Sequence, residues 1–315
     1  MRFSVLIPTI GRREPLRETL NSLLASDPPP AEVVVVDSHE HGAARKVVDE
    51  VAARTPWTAF RYVRSGRGAS LQRQVCLESA SGDVVVFIDD DALVDRRLFA
   101  VLAQAYRDPE VVGATGRVLQ DSYRSYGNQQ SLIRRLLFAG GQGMMSAYGY
   151  PQHLQDLSTV RDVEFMQGCL MSARREAALR VGFDLALGGP RAVALLEDED
   201  FSYRLSRLGR VRHLPEAVVH HMALGFHGRD AREYSRLIVH DRAYLLSKNF
   251  SPTRATLVRF WLLIGIFFAH RIVNREWKGV TGLCEGIAAA RREGYLRPVS
   301  REKPATEIAS SPELS

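Results

Sequence analysis

Cysteine is scarce in this chain. Its 315 residues include only Cys76, Cys169 and Cys284, an odd number at wide spacing. This usage excludes a disulfide framework and the paired spacing of a structural zinc site, and it indicates a reducing compartment. A charged and then apolar leader is also missing, because a strand-like segment begins at Phe3. We therefore expect no cleaved signal and a cytoplasmic protein.

Two common nucleotide-binding motifs are absent as well. Gly66 and Gly68 form a glycine pair, but the third glycine of a dinucleotide fingerprint is missing, and no Walker-type phosphate loop occurs. A bound nucleotide would then be held by carboxylates, a metal ion and arginine. The net charge of +6 favours acidic partners, such as sugar nucleotides or an anionic membrane face. No nucleic-acid-binding motif accompanies this charge, so we expect no nucleic-acid partner.

The first part of the chain alternates between apolar runs and helical patterns. Hydrophobic residues make up 45% of the chain, which is enough for a sizeable core. Apolar runs at 3–7, 32–37, 61–63 and 83–88 predict strands, and the first is expected to end at Pro8. Helical spacing between these runs gives a β-α-β order. This order predicts an α/β fold with a Rossmann-like, mostly parallel central sheet flanked by helices.

Three adjacent carboxylates, Asp89, Asp90 and Asp91, follow the most apolar of these strands. Ligands bind outside the carboxyl ends of strands in open α/β sheets, so this position favours a site. Adjacent carboxylates repel each other, and a divalent cation relieves that repulsion. Hard oxygen ligands suit Mg²⁺ or Mn²⁺. The alternative is an ordinary acidic turn after a core strand.

A second acidic group, Glu197 to Asp200, precedes a helical pattern that continues to Leu208. Acids in a first helical turn complement the helix dipole, which is a sufficient structural reason for them. The functional alternative is a general base that faces the metal site. Pro215 separates two predicted edge strands, and His221 ends the second one. His221 is either a metal ligand or a plain polar residue.

The remaining segments predict loops, an unusual helix and a tail. Residues 120–160 are expected to be loops around a short helix at 130–138, followed by a strand at 163–173. Residues 257–272 are strongly apolar, but the unbroken run of ten is shorter than the about 20 residues that a membrane span needs. Basic flanks favour a helix lying on an anionic bilayer, with a buried helix or an oligomer contact as alternatives. The composition of residues 298–315 predicts a disordered tail.

Taken together, these motifs resemble the family 2 glycosyltransferases, which are inverting enzymes of the GT-A fold. The resemblance covers about residues 3 to 225. It rests on four groups of segments in order: Val5–Thr9 with its leucine-spaced helix; Val33–Asp37; Gly68 through Arg73 to Asp91; and Gly168–Leu170 with Arg175, Gly182–Asp184, Glu197–Asp200, Arg204 and Pro215–His221. It implies two halves of one GT-A domain, a nucleotide-sugar-binding half (1–115) and an acceptor-binding and catalytic half (116–225). The C-terminal helices (226–297), with membrane association as one alternative, and the tail (298–315) follow this domain.

The resemblance also implies roles for single residues. Asp198 is the implied catalytic base, although Glu197 remains an alternative. Asp91 and His221 are the implied ligands of Mg²⁺ or Mn²⁺, with His220 as the alternative histidine. Asp37 would accept a hydrogen bond from the imide N–H of uracil or thymine. The implied nucleotide-binding residues are Thr9, Asp37, Arg73, Asp89 and Asp90.

The implied function is the transfer of a sugar from a UDP- or dTDP-sugar to a hydroxyl of a glycan or glycolipid in cell-surface polysaccharide synthesis. Gly11 and Gln74 stand where the family often has asparagine, which leaves details of the nucleotide loops open. The Gln-x-x-Arg-Trp motif of processive synthases is absent, which favours single additions. The alternatives are a metal-dependent phosphotransferase or phosphatase with Asp89 as nucleophile, and a non-catalytic carbohydrate-binding subunit. A cytoplasmic protein peripheral to the inner membrane face would fit.

Overall fold

A computed structural model describes residues 1–119, 143–152, 158–187, 195–222 and 230–298. The helix predicted at 130–138 and almost all of the predicted tail lie outside these ranges. The strands are β1 (Phe3–Thr9), β2 (Glu32–Asp37), β3 (Ala59–Arg64), β4 (Val84–Ile88), β5 (Ala92–Val94), β6 (Val111–Leu119), β7 (Arg161–Val163), β8 (Leu170–Arg174) and β9 (Arg210–His221). The helices are α1 (Arg13–Leu24), α2 (Arg45–Ala52), α3 (Ala69–Ser79), α4 (Leu98–Ala105), α5 (Arg175–Val181), α6 (Glu197–Ser206), α7 (Ala231–Asn249), α8 (Arg254–Val273) and α9 (Trp277–Arg292).

Within the described ranges the strands form one mixed sheet in the order β3-β2-β1-β4-β8-β6-β9-β5, and β7 also pairs with β9. β1 to β4 are parallel to one another, whereas β8 runs antiparallel to β4 and β6. The carboxyl ends of β1, β2 and β4 therefore meet at one edge of the sheet. The predicted α/β architecture of a central sheet flanked by helices is confirmed.

Helices cover both faces of this sheet, which explains why its central strands are apolar throughout. Val84, Val86 and Ile88 of β4 pack into a cluster on one face, and Val85 and Phe87 pack into a cluster on the other. Burying one such side chain stabilises the fold by about 1.5–3 kcal/mol. The core therefore fixes β4, and with it the position of the acids that follow.

Two strand boundaries differ from the prediction because of proline. β1 continues through Pro8, whose register partner is Val36. On its other side β1 pairs with β4 only as far as Leu6, so the missing N–H of Pro8 leaves no gap in that ladder.

The two edge strands predicted around Pro215 are also wrong, because β9 is one strand between β6 and β5. The register along β6 moves from Leu214 to Val218 between Gly116 and Arg117, and this irregularity accommodates Pro215. A Cβ at Gly116 would lie 1.9 Å from the Ala217 carbonyl oxygen, so a glycine is required there.

The strand predicted at 163–173 is instead two strands, β7 and β8, with Gly168 in the turn between them. The C-terminal helices pack as a unit, with α9 against both α7 and α8, and buried residues of all three share one hydrophobic cluster. α8 has 20 residues, twice the length of its unbroken apolar run. It is the one helix in the described ranges that is long and apolar enough to cross a membrane by length and composition, and 22% of its apolar window is buried.

Candidate active site

The acids after β4 lie beside the end of β9 because β5 returns antiparallel to it. Ala92 is the register partner of His221, so the imidazole lies next to Asp91. The His221 Nε2 atom lies 3.1 Å from Asp91 Oδ1 and 3.8 Å from Asp89 Oδ2. The hydrogen-bond ladder of the sheet therefore joins residues 130 positions apart in the sequence.

Asp89, Asp91 and His221 form a group that could hold a metal ion, since one ligand atom from each lies within 4.8 Å of the others. Two carboxylates and one imidazole fit a divalent cation that keeps further positions for a diphosphate. Burial opposes protonation of His221, but its hydrogen bond to Asp91 and the charges of Asp89 and Asp91 raise its pKa. A bound cation would take the place of that proton.

Asp90 points away from this group, toward β1. The hydroxyl of Thr9 donates to Asp90 Oδ2 at 2.5 Å, and the Arg12 guanidinium bonds to Asp90 and, at 2.8 Å, to Asp91 Oδ2. Burial raises the pKa of Asp90 despite the arginine. Arg12 had no predicted role. Its position just after the first strand was the available signal, because the ends of β1 and β4 meet at this edge.

Asp37 is fully buried at the end of β2 and already bonded within the protein. Its Oδ2 atom accepts from the Ala44 N–H at 3.0 Å and from the Tyr62 hydroxyl at 2.9 Å. Its Oδ1 atom accepts from the His39 N–H at 2.8 Å. A carboxylate oxygen can accept two hydrogen bonds, so Oδ1 has capacity for one more. Burial and the Asp37 carboxylate raise the pKa of Tyr62 to about 12.

Arg73 connects the two acidic groups. It lies buried on α3, where one terminal nitrogen pairs with Glu197 and the other donates to Asp89 Oδ1 at 3.2 Å and to the Gly168 carbonyl at 3.3 Å. Burial opposes its charge, but Glu197 and Asp89 raise the pKa of Arg73. Because one guanidinium touches both groups, the acids after β4 and those that begin α6 lie on the same side of the sheet.

Three of the four consecutive acids that begin α6 are neutralised by basic side chains. Glu197 pairs with Arg73, Glu199 with Arg242, and Asp200 with Arg204 and Lys248. Each of these three carboxylates is buried. Their role is therefore to hold the helix against its neighbours, in addition to complementing its dipole.

Asp198 is held differently from its neighbours. Its two oxygens accept from backbone groups, the Gly168 N–H at 3.0 Å and the Glu199 N–H at 2.9 Å. Burial raises the pKa of Asp198, with further contributions from the charges of Glu197 and Glu199, to about 8. A Cβ at Gly168 would lie 3.2 Å from Asp198 Oδ2, so the glycine allows this close approach. Leu196, just before the acids, has a positive φ of 68° although it is not glycine. Such backbone strain is often found at functional sites.

Comparison with known proteins identifies the family of this chain. A family model described as Glycosyl transferase family 2 matches residues 4–182. The chain belongs to the family 2 glycosyltransferases. The predicted family is therefore confirmed, and the matched region includes the acids after β4 and Arg73.

Curated relatives match over shorter stretches. The Staphylococcus aureus poly(ribitol-phosphate) beta-N-acetylglucosaminyltransferase TarS is 31% identical over 98 residues, which are 30% of this chain and 17% of that protein. The Rhizobium meliloti succinoglycan biosynthesis protein ExoM is 29% identical over 34% of this chain and 36% of that protein. The chain thus spans well under half the length of these curated relatives.

Solved structures support the fold over nearly the whole chain. Residues 1–349 of S. aureus TarS, solved with UDP-GlcNAc, superpose with a TM-score of 0.59 at 17% identity, over 92% of this chain and 82% of that one. A Pyrobaculum calidifontis mannosyltransferase, solved with GDP-Man and Mn²⁺, gives 0.54 at 19% identity, over 92% and 86%. These structures confirm the GT-A fold predicted from the sequence.

Proposed function

We propose that this glycosyltransferase moves a sugar, with inversion, from a nucleoside-diphosphate sugar to a hydroxyl of a glycan or lipid-linked acceptor in cell-surface polysaccharide synthesis. The observation that carries the proposal is the contrast among the four acids of α6: three are bonded to basic side chains, whereas Asp198 is held by backbone amides. The names of TarS and ExoM support the polysaccharide assignment. Residues 1–115 would hold the donor, and residues 116–225 would hold the acceptor and the base.

In the proposed reaction Asp198 removes the proton from the acceptor hydroxyl as its oxygen attacks the anomeric carbon. A new C–O bond forms on one face of the sugar while the bond to the diphosphate breaks on the other, which inverts the configuration. The Gly168 and Glu199 amides keep the carboxylate oriented throughout. When bound by Asp89, Asp91 and His221, Mg²⁺ or Mn²⁺ would act as a Lewis acid and stabilise the charge on the leaving diphosphate.

A uridine or thymidine donor fits the remaining hydrogen-bonding capacity of Asp37. The imide of uracil or thymine has a single N–H group, and Asp37 Oδ1 has one acceptor site left. Arg73 lies close to the Asp89 carboxylate, where it would approach the diphosphate. Thr9, Asp90 and Arg12 would support this side of the site through their hydrogen bonds to one another.

A binding and product assay tests this assignment. We expect UDP or dTDP with Mn²⁺ to raise the thermal midpoint more than GDP or either component alone, since ligands that bind only the folded state stabilise it. NMR of the product should show the inverted anomer. Retention of configuration would contradict the proposed mechanism, and phosphate release from simple phosphomonoesters would favour the phosphotransferase alternative.

We further propose that α8 rests on an anionic membrane surface near the acceptor. Leu257, Phe260 and Ile264 face the neighbouring helices and are buried. The opposite face of α8 is apolar and exposed, and it is formed by Val258, Leu262, Gly265, Ala269, Ile272 and Val273. Trp277, at the start of α9, is also exposed, at 62%. A helix with one face packed on the protein and the other exposed fits a position in the membrane interface.

The charges around this face suit anionic lipid. Arg254, Arg259, Arg275 and Lys278 are exposed around it, and the sequence has no acid between Asp241 and Glu276. Arg271, a fifth basic residue near this face, pairs with Glu276. Juxtamembrane lysine and arginine contribute about 1 kcal/mol each near an anionic surface.

Co-sedimentation with vesicles tests the membrane contact. We expect binding to vesicles containing phosphatidylglycerol, weaker binding to phosphatidylcholine alone, and at least about a tenfold loss of binding in Leu262→Glu, because a charge in the interface opposes burial of this face. Leu179→Glu places the same change on an exposed leucine of α5 and should bind normally. Equal binding of the two variants, or a concentration-dependent dimer without vesicle binding, would contradict the proposal.

A further inference from the structure

One face of α7 contacts the residues on both sides of Asp198 in the sequence. Arg242 donates through both terminal nitrogens to Glu199, at 2.9 and 3.1 Å. One turn further along α7, Leu245 packs with Leu196 in a small buried cluster that also contains Met145. The start of α6 is therefore fixed by α7 two residues before and one residue after the candidate base.

The contact continues to the next acid. Lys248 Nζ and Asn249 Nδ2 lie 3.0 and 2.8 Å from Asp200 Oδ1. Arg242, Leu245, Lys248 and Asn249 are spaced three or four residues apart or adjacent, so they share one face of the helix. This face meets Leu196, Glu199 and Asp200, whereas Asp198 accepts its hydrogen bonds from the backbone amides of Gly168 and Glu199.

Arg242 is buried and held by several contacts, unlike an ordinary surface arginine. It is 3% exposed, it donates to the Gly149 carbonyl at 2.5 Å, and its guanidinium lies 4.8 Å from the centre of the Tyr150 ring. It therefore joins the 143–152 segment, the start of α6 and the C-terminal helices. A buried bidentate pair of this kind fixes geometry, because removal of either partner leaves the other charge unpaired.

We propose that Arg242 is a positioning residue for the transfer reaction, and that it acts by holding the first turn of α6 through Glu199. This rests on the proposed role of Asp198. The strained φ of Leu196 would relax if the turn were released, and this relaxation would move the Asp198 carboxylate. A displacement of about 1 Å at a reacting group costs as much as about 10²-fold in rate.

The first test is Arg242→Met with Arg236→Met as the matched control. Arg236 lies on the same helix but pairs with Glu233 at the surface. We expect Arg242→Met to lower kcat by about 10- to 100-fold while the donor KM changes less than about twofold. The kcat of Arg242→Lys should lie between those of Arg242→Met and wild type, because lysine keeps the charge but cannot make both hydrogen bonds of the guanidinium. A folded Arg242→Met enzyme with normal kcat and only a lower thermal midpoint would overturn the positioning role.

A double variant and a hydrogen-exchange measurement test the same role independently of the folding of Arg242→Met. Glu199→Gln combined with Arg242→Met removes the pair without leaving a buried charge, and we expect it to fold and still turn over slowly; wild-type kcat in this variant would overturn the positioning role. Hydrogen exchange in a peptide spanning 195–206 should quicken by about tenfold in Arg242→Met and stay normal in Arg236→Met. Unchanged exchange overturns the positioning role, whereas a wild-type chain that transfers no sugar overturns the proposed function alone.

Discussion

Asp198→Asn is the most direct probe of the active site. Asparagine keeps the size of the side chain but offers one carbonyl oxygen in place of two carboxylate oxygens. One of the two amides that Asp198 now accepts from, Gly168 N–H or Glu199 N–H, therefore loses its partner. That loss costs about 0.5–1.5 kcal/mol. The variant should fold.

The effect on turnover should be much larger than the effect on stability. Positioned general bases contribute about 10²- to 10⁴-fold, which corresponds to about 3–5 kcal/mol of transition-state stabilisation. In the proposed site the donor would bind at the acids after β4 and near Arg73, whose bonds go to Glu197, Asp89 and Gly168 and not to Asp198. We therefore expect kcat to fall by at least about 10²-fold while the donor dissociation constant stays within about twofold.

The assay is the initial rate at saturating donor and acceptor, with donor affinity from calorimetry. Glu176→Gln is the matched control, because Glu176 is an exposed acid in the first turn of α5. It tests whether the loss of any first-turn carboxylate lowers activity. Near-normal turnover in Asp198→Asn would refute the assignment of the base, and an equal loss in Glu176→Gln would refute its specificity.

Two further predictions concern proton and metal binding. The folded-state pKa of Asp198, about 8, lies above that of an unfolded carboxyl. The stability that Asp198 contributes is therefore full below about pH 4 and is lost as pH rises through about 8, whereas kcat should rise over the upper part of this range. Denaturant titrations in which Asp198→Asn shows the same pH dependence as wild type would contradict this. His221→Gln should remove most of the Mn²⁺-dependent thermal shift seen with nucleotide, and His220→Gln should not, since of these two histidines His221 is the one grouped with Asp89 and Asp91. A lost shift in His220→Gln with a normal shift in His221→Gln would show that the wrong histidine had been chosen.

The fold could be predicted well from the sequence where one local pattern decided it. The run Val84–Ile88 is apolar because both faces of β4 are covered, and the acids that follow lie at the strand end that the parallel order dictates. Pro8 and Pro215 misled the prediction because each lies where its missing N–H removes no necessary bond. That depends on which strand lies alongside, which no local pattern reports.

The choice between Glu197 and Asp198 also depends on partners that are remote in the sequence. The arginine that pairs with Glu197 is 124 residues away, and the one that pairs with Glu199 is 43 residues away. Charge periodicity within α6 cannot reveal either partner. The sequence therefore leaves the dipole explanation and the general-base explanation both open, and the geometry adds an arginine for each neighbour of Asp198.

The number of acids at the start of α6 explains why so many basic residues surround it. Consecutive residues in a helix point about 100° apart, so four adjacent carboxylates cannot all face one cleft. Those directed toward the protein interior must be paired, because an unpaired buried charge is costly. α3 supplies one arginine, α7 supplies another arginine and a lysine, and Arg204 comes from α6 itself. Among the described residues Asp198 has no such partner: backbone amides hold it, and its raised pKa makes it a strong proton acceptor once it is ionised.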